Sequence, residues 1–377
     1  MHVGFNLIFL VPGETGGMEI AAQELIAALL SQAHAGDRFT AFVNNETAAA
    51  RDWPLRDALP QVRVPVRARR REQWVIGEQA LLAPMAMRAG VQLVHSLAST
   101  APLWGRFRRV VTVHDLIYAR FPEAHSGIRD KGMRVLVPAA ARRSDRVIAD
   151  SRSTRDDLVA LAGIARERID VIPLGLGTVQ REPPLGEVHT RERFELGDRR
   201  VLLSLSAKRP HKNIPALIDA LALIEAPQRP LLVLPGYHTW HEDELRERAR
   251  ARGVEADVRL PGWVSGPELE GLWALSAAFV FPSLYEGFGL PVLEAMARGV
   301  PVACSDAASL PEVAGDAALL FDPRDTRAIA SAVRRLLAGG PEVERLREKG
   351  RERAARFTWE RTASLTLQSY ERALAPE

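Results

Sequence analysis

The chain has 377 residues, beyond the roughly 250–300 at which a single core stops growing, so two domains are expected. With 47% hydrophobic and 26% charged residues the composition is that of a soluble globular protein, and no apolar run approaches the ~18 residues of a membrane span. The net charge of +3 excludes nothing, but a single cysteine excludes an internal disulfide.

The apolar start, Val3–Val11, lacks a basic flank and a small-residue cleavage site, and is predicted to be a buried strand rather than a secretory leader. The sequence PGETGGMEIAAQEL, Pro12–Leu25, reads as a glycine-containing loop feeding a helix over Met18–Ser31. It lacks the G-x-G-x-x-G spacing, which disfavours a dehydrogenase. Glu19 reads as a first-turn helix residue. Further strands are predicted at Phe39–Val43, Val91–Leu97, Val110–His114, Arg146–Ala149 and Ile169–Leu174, with amphipathic helices over Glu72–Arg88 and Ser153–Ala162. Met18, Met85, Met87 and the tryptophans lie mostly at helical spacing and read as core.

Between the second and third of these strands lies a basic run, Arg67, Arg69, Arg70 and Arg71. Residues 1–185 hold 24 basic and 19 acidic side chains, and the remainder holds 26 and 28. The plain reading of the run is a solvated surface. The functional reading is contact with anionic lipid at a membrane face or with an acidic acceptor. No nucleic-acid motif accompanies the run, so nucleic acid is not expected as a partner. Further on, His114 stands directly at a strand end and Asp115 follows it. Ser151 reads as an N-cap.

Periodicity breaks around Gly175–Gly186, which includes the pair Pro183–Pro184, and the domain boundary is placed there. The second half repeats the rhythm. Strands are predicted at Val201–Ser206, Leu231–Pro235, Val258–Leu260, Ala278–Pro282, Val302–Ser305 and Ala318–Phe321. Helices are predicted at Ile214–Ile224, Glu242–Arg252, Pro267–Leu275, Glu342–Arg356 and about Trp359–Leu374. Apolar strands alternating with helices predict two α/β domains with parallel, doubly wound sheets. Ligands of such sheets sit at the carboxyl ends of the strands.

Of the 50 basic residues only four are lysines, and two of those lie in SLSAKRPHKNIPALIDAL, Ser204–Leu221. Lys208, Arg209 and Lys212 put three cations beside a helix start, where they oppose the helix dipole unless an anion is present. In SLYEGFGLPVLEAMARG, Ser283–Gly299, a strand ends near Pro282. Glu286 follows beside Gly287 and Gly289, Pro291 suits an early helix position, and Glu294 falls on the first turns. Glycine permits close backbone approach and free N–H groups favour phosphate. Two carboxylates flanking such a cradle suit a ligand with sugar, diphosphate and ribose in series. His238, His241 and Glu242 lack a metal-site pattern and read as loop and helix-start residues. No Asp-x-Asp triplet occurs. Cys304, in an apolar run, reads as an inert core thiol.

The segment Glu286, Gly287, Phe288, Gly289, Leu290, Pro291, Glu294 resembles the signature of the retaining glycosyltransferases of family four, and the match continues through Ser309–Pro323. The Pro-His-Lys-Asn pattern at Pro210–Asn213 and the Phe357–Glu360 start of the last helix are similar to the family as well. The resemblance covers nearly the whole chain, most strongly residues 201–323 and most loosely 45–90. It implies the GT-B architecture: two Rossmann-like domains facing across a cleft, residues 1–177 on the acceptor side and 178–359 binding the donor, with a helix at 360–377 crossing back to the first. It also implies that Glu286 contacts the transferred sugar, Glu294 the donor ribose, and the backbone of Phe288, Gly289 and Leu290 the diphosphate. Lys212 meets the donor phosphates, Gly16 and Gly17 lie close to donor and acceptor, and the neutral imidazole of His114 hydrogen-bonds a sugar hydroxyl. One departure is Ser206, where many members carry an arginine; Arg209 or Lys208 is expected to replace it.

These features predict a retaining, metal-independent hexosyltransferase without a cofactor. It would act at a cytoplasmic site, including the inner membrane face. The donor is a nucleotide-diphosphate sugar, GDP-mannose favoured over a UDP-sugar because the Leu-Pro-Glu-Val and Pro-His-Lys-Asn segments resemble bacterial mannosyltransferases. The acceptor is a saccharide, a lipid-linked saccharide or a small molecule. The alternatives are a nucleotide-sugar epimerase of similar fold and a degenerate transferase serving as an assembly subunit.

Overall fold

The structure, a computed structural model, describes residues 1–121, 128–177 and 183–376. The chain divides into two compact units, Met1–Gly177 with Phe357–Glu377, and Thr178–Arg356.

The first unit is built on seven parallel strands: β1 (His2–Leu7), β2 (Arg38–Val43), β3 (Gln61–Arg63), β4 (Leu93–Ser96), β5 (Arg108–Val113), β6 (Arg146–Ala149) and β7 (Ile169–Val171). Their order is β3-β2-β1-β4-β5-β6-β7. Every residue of β1 is buried, as a strand covered by helices on both faces must be. The predicted strand Val3–Val11 stops early, at Leu7. The buried Asn44 side chain donates to the carbonyls of Ile8 and Leu10 at 2.9 and 2.5 Å, which takes those groups out of any ladder. Strand β3 was not anticipated: it is short, carries Gln61 and Arg63, and lies between Pro60 and Pro65 at the sheet edge, where proline is tolerated.

Two helices share one side of this sheet. Gly17–Ser31 buries Ala21, Ala22, Leu25, Ile26, Ala28 and Leu29. The last helix, Trp359–Leu374, packs Trp359, Ala363, Tyr370 and Ala373 into the same cluster as Val3, Phe5 and Leu7. The Tyr370 hydroxyl lies 2.6 Å from His95 Nδ1, and His95 Nε2 lies 2.8 Å from Thr112 Oγ1. Burial holds the His95 imidazole down to about 3, and the nearby His114 adds to this. The expected Glu72–Arg88 helix is interrupted: a π-helical stretch, Gly77–Leu81, separates Arg71–Ile76 from Leu82–Arg88. That stretch buries Glu78, whose carboxylate accepts from Asn6 and Thr100 at 2.8 and 3.0 Å.

The second unit has six parallel strands: β8 (Val201–Leu203), β9 (Leu231–Pro235), β10 (Val258–Gly262), β11 (Ser276–Phe281), β12 (Val302–Ser305) and β13 (Ala318–Phe321). They are ordered β10-β9-β8-β11-β12-β13. Helices Ile214–Ala222 and Thr326–Ala338 close one face, placing Leu217, Ile218, Ile329 and Val333 against Leu202, Leu232 and Val280. Both units are therefore Rossmann-like parallel sheets.

Reading the large apolar side chains as core needs correction. Met18, Trp104, Trp240 and Trp263 are exposed, whereas Trp53, Trp273 and Trp359 are buried. Trp240 and Trp263 follow strands β9 and β10 in loops, where no helical stripe buries them.

Candidate active site

In the second sheet the strand order reverses between β8 and β11, and a doubly wound sheet opens a crevice at the carboxyl ends of such a pair. The two most informative sequence segments meet there. After β8 the chain runs through a 3-10 turn, Pro210–Lys212, and Asn213, in the left-handed region, turns it into helix Ile214–Ala222. The Asn213 amide donates to the carbonyls of Pro282 and Pro323 at 3.1 and 2.7 Å, tying this turn to the ends of β11 and β13. The tie brings Lys212 Nζ to 2.7 Å from Glu286 Oε1. The same ammonium stands 5.4 Å from the centre of the Phe281 ring. Both side chains are largely buried, 16% and 10% exposed.

Beyond Glu286 the backbone is held by Ser309, whose hydroxyl donates to the carbonyls of Glu286 and Phe288 at 3.0 and 2.6 Å. Gly289 caps helix Leu290–Ala297 at φ +112°, and a Cβ there would stand 2.6 Å from Leu310 Cδ2. Both facts require glycine. Pro291 lies in the first turn, as expected. Glu294 is half-buried, and its carboxylate accepts no hydrogen bond among the described residues. Burial raises its pKa; Arg298 opposes this and Glu270 adds to it. Arg298 is itself committed, to Glu270 and to the Glu294 carbonyl, 3.1 Å from its Nη1. The result is a committed cation–carboxylate pair on one side of a helix start and an uncommitted carboxyl on the other.

Of the two residues expected to replace the arginine absent at Ser206, Lys208 is 1% exposed, and its ammonium donates to the Gly236 carbonyl at 2.9 Å with Glu242 at 3.6 Å. It braces the loop after β9 and is not presented to a ligand. Arg209 is half-buried, and its guanidinium has no partner among the described residues. Glu242 opens helix Glu242–Ala251 and also accepts from Arg246 and His238, while His241 faces Glu244. Cys304 is fully buried and its thiol is pushed up to about 12 by burial, in keeping with an inert thiol.

In the first sheet the order reverses between β1 and β4. The loop after β1 carries Gly16, at φ +70°, and Gly17; a Cβ on either would meet nothing within 4 Å, so the space beside them is open. Glu19 is a brace: both its oxygens accept the Gly13 N–H, at 3.2 and 3.0 Å. His114 follows β5, Leu97 follows β4 and Asp150 follows β6, and the three converge. His114 Nδ1 lies 2.7 Å from Asp150 Oδ2, and Nε2 lies 2.9 Å from the Leu97 carbonyl. A carbonyl only accepts, so Nε2 carries a proton. Burial lowers the imidazole's pKa, but Asp150 outweighs it and the ring is raised to about 9. With both nitrogens facing acceptors the ring is drawn towards its protonated form and away from the expected neutral one, while burial raises the Asp150 carboxyl. Asp150, 36 residues away, was not identified from sequence; its place directly after a strand is the signal that would have found it. Ser151 caps helix Arg152–Ala162, accepting from Thr154 N–H at 3.0 Å.

A further feature at the carboxyl ends of β9 and β10 was not anticipated. Tyr237 and Trp263, 45% and 64% exposed, stack with ring centroids 4.5 Å apart. An aromatic within two residues of the end of each of two neighbouring strands is its only sequence signal.

Comparison with known proteins shows the family of the chain. The family described as Glycosyltransferase Family 4 matches residues 15–179, and Glycosyl transferases group 1 matches residues 188–353. The O-antigen chain mannosyltransferase B of Escherichia coli is 32% identical over 267 residues, 70% of either chain. The chain is a member of the group 1, family 4 glycosyltransferases. Another relative, the serotype-specific mannosyltransferase WbdA of Escherichia coli, is 31% identical over 71% of this chain, a match spanning 34% of that longer protein. The D-inositol 3-phosphate glycosyltransferase of Jonesia denitrificans is 29% identical over 79% of this chain and 70% of its own. The fold is that of sucrose-phosphate synthase from Thermosynechococcus elongatus (TM-score 0.77, 22% identity, 98% of each chain). It is equally that of Anabaena HepE, solved with UDP and glucose (TM-score 0.74, 19% identity, 98% and 99%). Among the described residues of this family member, no helix is long and apolar enough to cross a membrane. No group of three His, Cys, Asp or Glu side chains there could hold a metal ion.

Proposed function

We propose that the protein transfers a hexose, mannose from GDP-mannose foremost, to a hydroxyl of a saccharide, lipid-linked or small-molecule acceptor, with retention at the anomeric carbon. The observation that carries this reading is the Lys212–Glu286 pair, 2.7 Å apart at the reversal point of the second sheet. The mannosyltransferases among the relatives support the choice of sugar.

In this reading Glu286 binds hydroxyls of the transferred sugar and Glu294 those of the ribose. Lys212, Arg209 and the N–H groups from Phe288 to Leu290 receive the diphosphate. The bond from anomeric carbon to phosphate oxygen breaks with its electron pair on oxygen. The acceptor oxygen bonds to the same face, and its proton passes to the departing phosphate. Fixed cations and N–H dipoles facing the growing charge supply the main stabilisation. Cations of the chain do this without a divalent metal, so EDTA should leave turnover intact. Within the first unit, His114 offers its Nε2–H to a sugar hydroxyl in place of the Leu97 carbonyl. Gly16 and Gly17 leave room for a ligand beside the loop after β1. A peripheral contact of the basic first unit with anionic membrane fits a lipid-linked acceptor.

The test is NMR analysis of the product formed from GDP-mannose. An α-linked product is expected, and a β-linked one overturns retention. A thermal-shift series with GDP, UDP and ADP sugars reads the donor, since a ligand of the native state raises its melting temperature.

A further inference from the structure

One cavity of the first unit lies apart from the Lys212, Glu286 and Glu294 groups. It is a groove of about 790 Å³, within the ~300–1,000 Å³ of ligand clefts. The residues after β1, Val11–Gly13, line it together with Trp53, Arg67 and Arg70. It therefore runs from the loop that carries Gly16 and Gly17 to the loop after β3.

Its charges sort into committed and uncommitted groups. The Glu46 carboxylate accepts the N–H groups of Ala68 and Arg69, at 3.1 and 3.4 Å, and so anchors the arginine loop. Both oxygens of Glu19 accept the Gly13 N–H. Glu14 pairs with Arg69. A turn, closed by Arg70 N–H to the Arg67 carbonyl at 3.1 Å, then presents Arg67 and Arg70 from its two ends. Both are exposed, and neither guanidinium has a partner among the described residues. Asp52 is the remaining lining carboxylate without an ion-pair partner there. Two guanidiniums held on one turn repel each other, and an anion between them removes that cost. Guanidinium matches the phosphoryl group with paired hydrogen bonds.

We infer that this groove takes the phosphoryl group of a phosphorylated acceptor saccharide, with Arg67 and Arg70 on the phosphate and Asp52 accepting from sugar hydroxyls. The inference rests on the transferase reading and supplies its acceptor class. The phosphate is either that of a soluble sugar phosphate or one borne on a lipid.

The experiment uses the full chain with GDP and UDP in excess, so that phosphate sites around Lys212 are filled. Binding of mannose 6-phosphate and of mannose is measured by calorimetry. Sedimentation is measured with phosphatidylcholine vesicles with and without phosphatidic acid. Wild type, Arg67→Ala/Arg70→Ala and Arg345→Ala, an exposed arginine of the second unit, are compared. A phosphate preference of at least about tenfold is expected from two charge-assisted hydrogen bonds. It should be lost in the double variant and kept in Arg345→Ala. Preference for mannose 6-phosphate marks a soluble acceptor; preference confined to phosphatidic acid vesicles marks a lipid-borne one. No preference in either arm, or one that survives in the double variant, overturns the inference. The melting temperature with GDP or UDP alone separates the two readings. If neither nucleotide shifts wild type, the transferase reading fails; if one does and the groove does not discriminate, only the groove assignment fails.

Discussion

Lys212 and Glu286 lie 74 residues apart and meet at 2.7 Å, each coming from the segment that follows a strand at the sheet's reversal point. Lys212→Ala and Glu286→Ala should each lower kcat by about 10²–10³, the range for removing one group that stabilises developing charge. The double variant should be little worse than either single one, because the two act as a unit. Circular dichroism should show an intact fold in all three. Near-normal turnover in either single variant removes that residue from the site.

His114 should titrate far above an ordinary histidine. Its folded pKa, raised to about 9, exceeds the unfolded value near 6.5, so the stabilisation is full below about pH 6.5 and is lost as pH rises through 9. In Asp150→Asn the main influence opposing burial is gone and only the Leu97 carbonyl and Asp115 still raise the imidazole, so it should titrate well below 9. NMR of the ring nitrogens distinguishes the two. A ring that still titrates near 9 in the variant breaks the link to Asp150.

Glu78 acts in the same direction over a lower range of pH. Burial raises its carboxyl to about 7, while donation from Asn6, Thr100 and Gln79 pulls it back. The unfolded chain releases this proton earlier, near 4.5, so folding stability should fall as pH climbs from about 4.5 to 7 and level off above. Glu78→Gln should remove that slope. Urea melts at about pH 5 and pH 8 should show the variant gaining on wild type at the higher pH. Parallel pH profiles count against a raised Glu78.

Much of this arrangement is legible in the residues themselves. Glu286 and Glu294 flank a glycine loop that local spacing alone makes visible, and the apolar strands announce their own burial. What sequence hides is the partner brought from elsewhere. Lys208 looks like a surface cation until Glu242 and the Gly236 carbonyl enclose it. His114 looks neutral until Asp150 arrives from the next strand. Gln61–Arg63 looks like loop because an edge strand needs neither alternation nor apolar residues. Trp240 and Trp263 look like core because bulk hydrophobicity carries no sign of which face of a loop it occupies.

Gly289→Ala should damage both stability and donor affinity. The positive φ costs about 1–3 kcal/mol for a residue with a Cβ, and contact with Leu310 adds to it. Leu310→Ala in that background should relieve only the contact. Denaturant melts read the stability, and GDP-induced shifts in melting temperature read the affinity. Wild-type values in both refute a required left-handed cap.

The first unit is made from the two ends of the sequence. Trp359, Ala363, Tyr370 and Ala373 fill a seat prepared by β1 and the Gly17–Ser31 helix. During synthesis that seat stays open while the whole second unit emerges, so the half made first is the half completed last. A chain lacking this helix leaves the apolar side chains of β1 and the Gly17–Ser31 helix uncovered on that side. Shortening the chain by this one helix is therefore a defect of the amino-terminal half.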